Sequence, residues 1–171
     1  DLIIGAVAGY GTPIGSHFAP HHPAYIDLTG QSSYDPDKSR TLLKEAGHED
    51  LTLSLDLPPP SYARRGGEVI AAMLGEVGVT INIENVEWAQ WLDQAYKKKQ
   101  YDLTIVSHVE PMDIGRIYSN PDYYFQYDSQ VFRDIIQKFT AATTVDEQTA
   151  QLQAAQRQLA KELGFSLGKL N

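Results

Sequence analysis

The sequence predicts an α/β fold, a mostly parallel sheet flanked by helices, and three observations carry that expectation. "LTLSLDL" (51–57) places leucine at every second residue, the pattern of a strand with one buried face. "VTINIENVEW" (79–88) alternates again through Val79, Ile81, Ile83 and Val86. Stretches of helical spacing separate these strands, and a strand–helix–strand order implies crossovers within a parallel sheet.

The elements follow in chain order. Residues 1–34 mix Gly, Pro, Ser and His without a sustained period, so they read as an irregular connecting segment. In "YDPDKSRTLLKEAGHED" (34–50), Asp35 caps a helix, Pro36 takes its first position, and Leu42, Leu43 and Ala46 form an apolar face. Gly47 stops it. "PPPSYARRGGEVIAAMLGEVG" (58–78) breaks at the prolines, then aligns Val69, Ile70, Met73, Leu74 and Val77 on one stripe. "WAQWLDQAYKKKQ" (88–100) predicts a helix with Trp88, Trp91, Leu92 and Ala95 in the core and lysines in its last turn. "YDLTIVSH" (101–108) carries a near-continuous apolar run, which predicts a central strand covered on both faces. Two closing helices are expected over 128–144, capped by Asp128 or Ser129, and over 145–163, capped by Asp146. The Gln- and Ala-rich run 148–160 reads as mild bias within a helix.

Composition narrows the classes. A chain of 171 residues fits one domain or two small ones and can bury about 70% of its unfolded surface. It contains no cysteine, which excludes disulfide scaffolds and thiolate metal or redox sites. The net charge of -8, with no basic stripe, argues against nucleic acid as a partner. The apolar runs fall short of the roughly 20 residues that a membrane span requires. The chain opens on Asp1, so either an export signal has been removed or these residues come from within a longer protein.

The strongest site candidate follows the third strand. Ligands of open α/β sheets bind outside the carboxyl ends of the strands. There the sequence delivers His108, Glu110 and Asp113, then Tyr118, Tyr123, Tyr124 and Phe125. The acids could hold an amine or other cation, and the aromatics could form an apolar wall with hydroxyl handles. A turn set by Pro111 with tyrosines packed on the sheet edge is the plainer reading. Acid–base hydrolysis by His108, Glu110 and Asp113 is the alternative function, that of a small α/β hydrolase, but no G-x-S-x-G elbow, cysteine or HExxH accompanies them. An exposed tyrosine-rich surface over 118–127 could also anchor a protein partner. His17, His21 and His22 are spaced for zinc only on a helix, which Pro13, Pro20 and Pro23 forbid; exposed loop histidines are expected, with no metal and no cofactor. "GYGTPIG" (9–15) lacks the helix and the lysine of a phosphate loop, so its glycines serve turns.

The order of elements and their local wording resemble the extracytoplasmic solute-binding proteins of peptide/nickel-type ABC importers, the oligopeptide- and dipeptide-binding class. "YDPDKSRTLLKEAGHED" is similar to that family's "YDP-x-KA-x-x-LL-x-EAG", and residues 69–108 are similar to its helix, "GV-x-V" strand, "EW-x-x-(W/Y)L" helix and "(Y/F)D" strand. Residues 127–163 resemble the helical pair that follows. The resemblance implies one lobe of a periplasmic-binding-protein-like fold over 1–171: a connecting segment (1–34), an α/β core with helices (35–163) and the start of a return segment (164–171).

It also implies an exported, periplasmic or extracytoplasmic protein that is no enzyme. Such a protein traps a peptide or similar small solute between two lobes and delivers it to an ABC permease. In the family's "GW-x-x-D-(Y/F)-x-DP" loop, aromatic and acidic residues face the ligand. His108 stands at the tryptophan position, Glu110 near the acid and Asp113 near the later aspartate, with "EPMD" shifting the register. The resemblance covers the carboxyl-terminal lobe alone, so the chain is expected to be a fragment lacking the amino-terminal lobe, and to bind ligand weakly or not at all.

Overall fold

A computed structural model describes residues 2–31, 33–108 and 113–163, together with the backbone of 168–169. The chain divides into two compact units, one formed by 1–10 and 34–109, the other by 11–33 and 110–171.

The first unit is a three-stranded parallel sheet with helices. Its strands are β2 (Thr52–Leu57), β3 (Thr80–Asn85) and β4 (Leu103–Thr104), in the order β3-β2-β4. Thr52 pairs with Thr80 and Leu57 with Asn85, while Leu55 pairs with Leu103. The alternating leucines bury Leu55 and Leu57 as expected. The position of the third strand is a correction. Its apolar run sits at the sheet edge, and β2 is central. Only Leu103 and Thr104 join the ladder, although Ile105 and Val106 beyond them are also half-buried.

α3 (Ser61–Gly75) links β2 to β3 and packs on both. Gly67 is what lets it lie close: a Cβ there would come 2.4 Å from a methyl of Leu57, which is fully buried. α1 (Leu2–Val7) packs on α3, with Gly5 against Val69. This helix lies within the segment expected to be irregular. Its residues, "LIIGAV", show helical periodicity too briefly to outweigh the glycines around them.

α2 (Pro36–Glu45) begins as expected, Asp35 accepting the Lys38 amide at 2.9 Å, and Gly47 closes it at φ +72°. Its apolar face, however, is not buried: Leu42 is 53% exposed. Polar contacts tie it instead, the Arg40 guanidinium donating to the Glu76 carbonyl at 2.9 Å. After β3 the chain forms α4 (Trp88–Trp91) and continues as a π-helix over Leu92–Lys97. Trp91 and Ala95 are core residues, but Trp88 and Leu92 are 41% and 45% exposed. The expected four-residue core face is thus half solvent-facing.

The second unit is built on two helices, α6 (Gln130–Ala141) and α7 (Val145–Leu163), which pack on each other beside α5 (Asp113–Tyr118). β1 (Thr12–Pro13) and β5 (Gly168–Lys169) add a short antiparallel pair. Ser129 caps α6 by accepting the Phe132 amide at 3.2 Å, one of the two expected caps. On α7 the cap is not Asp146. Thr144 accepts the Glu147 amide at 3.2 Å and Glu147 accepts the Thr144 amide at 3.1 Å, a reciprocal capping box.

The core joins Phe132, Ile114, Ile117, Leu152 and Leu159 to a cluster of aromatic rings. Within it the Tyr127 hydroxyl donates to Glu162. Burial first, and then that bond, push the Tyr127 hydroxyl up from 10.0 to about 12. A group raised on folding contributes stability below its unfolded value and loses it as pH climbs through the folded one. Wild type should therefore lose stability between pH 10 and about 12, and Tyr127→Phe should flatten that loss in unfolding midpoints measured across the window. Parallel curves for the two proteins would refute the assignment.

Candidate functional site

In the first unit the carboxyl edge of the sheet is a polar rim on a packed base. β2 ends in Pro58, Pro59 and Pro60, which turn the chain into α3. The Tyr62 hydroxyl, in the first turn of α3, accepts the Ser107 amide at 2.9 Å and so fixes the exit of β4 next to half-buried His108. Beneath, the Trp91 indole donates to the Thr104 hydroxyl at 2.9 Å, which donates to the Asp56 carbonyl at 2.7 Å. This chain locks α4 to β4 and β2. Arg64, one turn into α3, lies 3.6 Å from Glu87, which follows β3. Its Nε has no hydrogen-bond partner among the described residues. Asp56 is buried on the sheet, and desolvation, then Glu84 and Asp102, raise its carboxyl above the ordinary range.

The predicted site residues divide between the units. His108 lies on the rim just described. Glu110 lies outside the described residues. Asp113, Tyr118, Tyr123 and Tyr124 belong to the second unit, and all four are buried, at 6%, 6%, 8% and 7% exposure. Asp113 accepts from His17 Nε2 at 2.7 Å, and His17 is itself only 7% exposed.

The His17 ring stands edge-on to Phe18 and Tyr118, at 5.1 and 5.8 Å between centroids. Tyr118 packs on Phe125, Tyr127 and Phe132, and burial raises its hydroxyl well above the ordinary tyrosine range. Tyr123 and Tyr124 lie 5.1 Å apart, with Arg116 6.0 Å over Tyr123. The tyrosines expected as a wall are thus packed side chains in the second unit.

Exposed loop histidines are the expectation from sequence, and His17 departs from it: it is buried and bonded to Asp113. His22 stacks on Phe18 at 4.0 Å and its Nδ1 accepts the Ala24 amide, while His21 is exposed. Among the described residues no group of three or more acids and histidines could hold a metal ion. Sequence reasoning missed Tyr62, Arg64 and Glu87. The prolines at 58–60, which place the start of α3 at the strand end, were the signal that pointed there.

Residues 1–134 match the family described as "Bacterial extracellular solute-binding proteins, family 5 Middle". The chain belongs to that family. It is 38% identical over 103 residues to the dipeptide-binding protein of Escherichia coli (strain K12), a match covering 56% of this chain and 19% of that protein. Among solved structures, the dipeptide binding protein of Pseudoalteromonas sp. SM9913 in complex with Met-Leu superposes with a TM-score of 0.86 at 18% identity. That match covers 98% of this chain and 36% of that one.

The Escherichia coli murein tripeptide binding protein MppA gives a TM-score of 0.81 at 18% identity, over 95% of this chain and 35% of its own. These likenesses show a periplasmic-binding-protein-like α/β fold, as the sequence implies. The chain spans only 19–20% of the length of the curated relatives it matches. Membership of the solute-binding family gives no support to the hydrolase alternative, and the His17 bond already engages Asp113, one of its three acid–base groups.

Proposed function

We propose that this family 5 chain supplies one lobe of an exported, two-lobed binding protein that captures small peptides and hands them to an ABC permease. The observation that carries the reading is the rim of Tyr62, Arg64, Glu87 and His108 at the carboxyl edge of a parallel sheet, where α/β ligands bind. The names of the relatives supply the ligand class, since the curated ones are di- and tripeptide-binding proteins.

Arg64 and Glu87 offer opposite charges at one edge, which suits a zwitterionic ligand such as a dipeptide. His108 and Glu110 face the ligand. Asp113, Tyr118, Tyr123 and Tyr124 serve the second unit as buried packing residues rather than as ligand contacts. The protein binds and does not catalyse, and closure on the ligand is a population shift driven by contacts made to both lobes.

Calorimetry with a dipeptide panel tests this. The full-length protein should bind, and this chain alone should not reach sub-micromolar affinity, because half of the contacts are lacking. Sub-micromolar binding by the chain alone would sink the one-lobe reading. Peptide turnover that disappears in Glu110→Ala would instead establish an enzyme.

A further inference from the structure

We propose that Asp56 is a proton-operated latch on β4. Its neutral carboxyl lets β4 lie against β2, whereas its carboxylate pushes the strand away, so the rim that β4 leads to at His108 is held most firmly in acid. The latch stands on the geometry of the first unit alone. Its consequence for a ligand rests on the peptide-binding reading of that rim.

β4 is fastened to the sheet at few points. Only Leu103 and Thr104 pair with β2, opposite Leu55 and Asp56. Just before the strand, Asp102 accepts the Ser54 amide at 2.8 Å and the Ser54 hydroxyl at 2.9 Å. Within it, the Thr104 hydroxyl donates to the Asp56 carbonyl at 2.7 Å. Asp56 is therefore both a ladder partner of β4 and the acceptor for its hydroxyl.

The Asp56 side chain is poorly housed. It alternates with Leu55 and Leu57, so it lies on the face away from α3, which packs against Leu57. It is 7% exposed, and among the described residues no hydrogen bond or ion pair engages its carboxyl. Its register partner on β3 is Glu84. On the β4 side stands Asp102, whose carboxyl the two Ser54 bonds hold below the ordinary range, so that it stays charged. From α4 comes only the uncharged Trp91, through Thr104. The charges acting on Asp56 are thus both negative. An unpaired buried carboxylate is costly, and like charges on neighbouring strands add to that cost. Ionisation sets Asp56 against Asp102, the residue that fastens the start of β4. Burial, then Glu84 and Asp102, raise the Asp56 carboxyl from 3.8. Its contribution to stability is therefore complete below 3.8 and is lost as pH rises through the higher folded value.

Amide exchange over 103–106, compared between wild type and Asp56→Asn at each pH, tests the latch. Asparagine keeps the shape and cannot ionise. Wild type should exchange roughly fivefold or more faster than Asp56→Asn at neutral pH, the low end of what an unpaired buried polar group costs. The ratio should fall toward one as pH approaches 3.8. Glu84→Gln keeps Asp56 but removes one flanking charge, so its exchange should lie between the two. Thr104→Val, which breaks the bond to the Asp56 carbonyl, should speed exchange by a similar factor at every pH.

A ratio near one at neutral pH, or one that stays constant with pH, would overturn the proposal, as would Glu84→Gln exchanging faster than wild type. In the full-length protein, the affinity of wild type for Met-Leu should fall relative to that of Asp56→Asn over the same pH interval. If exchange responds to pH while relative affinity does not, the latch stands and the peptide reading of the rim fails.

Discussion

Replacing Phe132 with alanine should cost the second unit about 3–5 kcal/mol, the range for truncating a fully buried aromatic side chain. Phe132 is 0% exposed and joins two tyrosine rings, Tyr127 at 5.7 Å and Tyr118 at 6.0 Å. Such edge-on pairs add about 0.5–1.5 kcal/mol beyond the area they bury. The backbone of this residue is separately secured, because its amide is capped by Ser129, so alanine should leave α6 formed and remove only the ring. Urea unfolding would measure the loss. Phe132→Leu should recover more than half of it, because much of the volume is kept. A cost below about 1 kcal/mol for alanine would mean that the aromatic cluster is not the core of this unit.

Phe132 was legible in part. It lies on the predicted helix of 128–144, and its capping residue was one of two named from sequence. Local signals of this kind transferred well: the leucine alternation gave β2, the Asp35–Pro36 pair gave the start of α2, and Gly47 gave its end. What failed was whatever depends on neighbours distant in sequence. The run at 103–106 has a central strand's composition, yet the order β3-β2-β4 leaves it at an edge, and no local pattern encodes order. Trp88 and Trp91 share a helix face by spacing, but Trp91 is buried and donates to the Thr104 hydroxyl while Trp88 is 41% exposed. The change to π-helical geometry over 92–97 leaves no mark in hydropathy.

The site divides along the same line. Strand-end logic pointed to His108, which lies half-buried just beyond β4, because ligand position in α/β sheets follows from topology. The same logic could not see that Asp113 and the tyrosines are engaged internally. A tyrosine hydroxyl and an apolar ring suit a binding wall and a packed core equally well. Deciding between the two required His17, whose bond to Asp113 no spacing rule would suggest.

Gln156→Leu should destabilise the second unit by roughly 2–5 kcal/mol even though it puts an apolar residue of similar size into a buried position. Gln156 is 1% exposed and stands on the buried stripe Leu152, Ala155, Leu159 and Ala160 of α7, so simple hydropathy would favour leucine there. Its amide, however, satisfies backbone groups of the 11–33 segment: it accepts the Phe18 amide at 3.2 Å and donates to the Ala24 carbonyl at 2.7 Å. Leucine strands both, and a buried backbone group without its partner costs about 1–3 kcal/mol.

Gln156→Glu separates hydrogen bonding from packing. The carboxylate can still accept the Phe18 amide, but it faces the Ala24 carbonyl as a second acceptor. Only the protonated acid can donate there, so folding should raise the pKa of the introduced glutamate. Stability contributed by protonation is present below the unfolded value of about 4.3 and is lost as pH rises through the folded one. The glutamate variant should accordingly approach wild type in mild acid and fall away from it toward neutral pH, while the leucine variant tracks wild type at a constant offset. Denaturant midpoints at a series of pH values would show this. A leucine variant within about 1 kcal/mol of wild type would mean that the 11–33 segment is held by its apolar contacts alone, with Gln156 a passenger on the stripe.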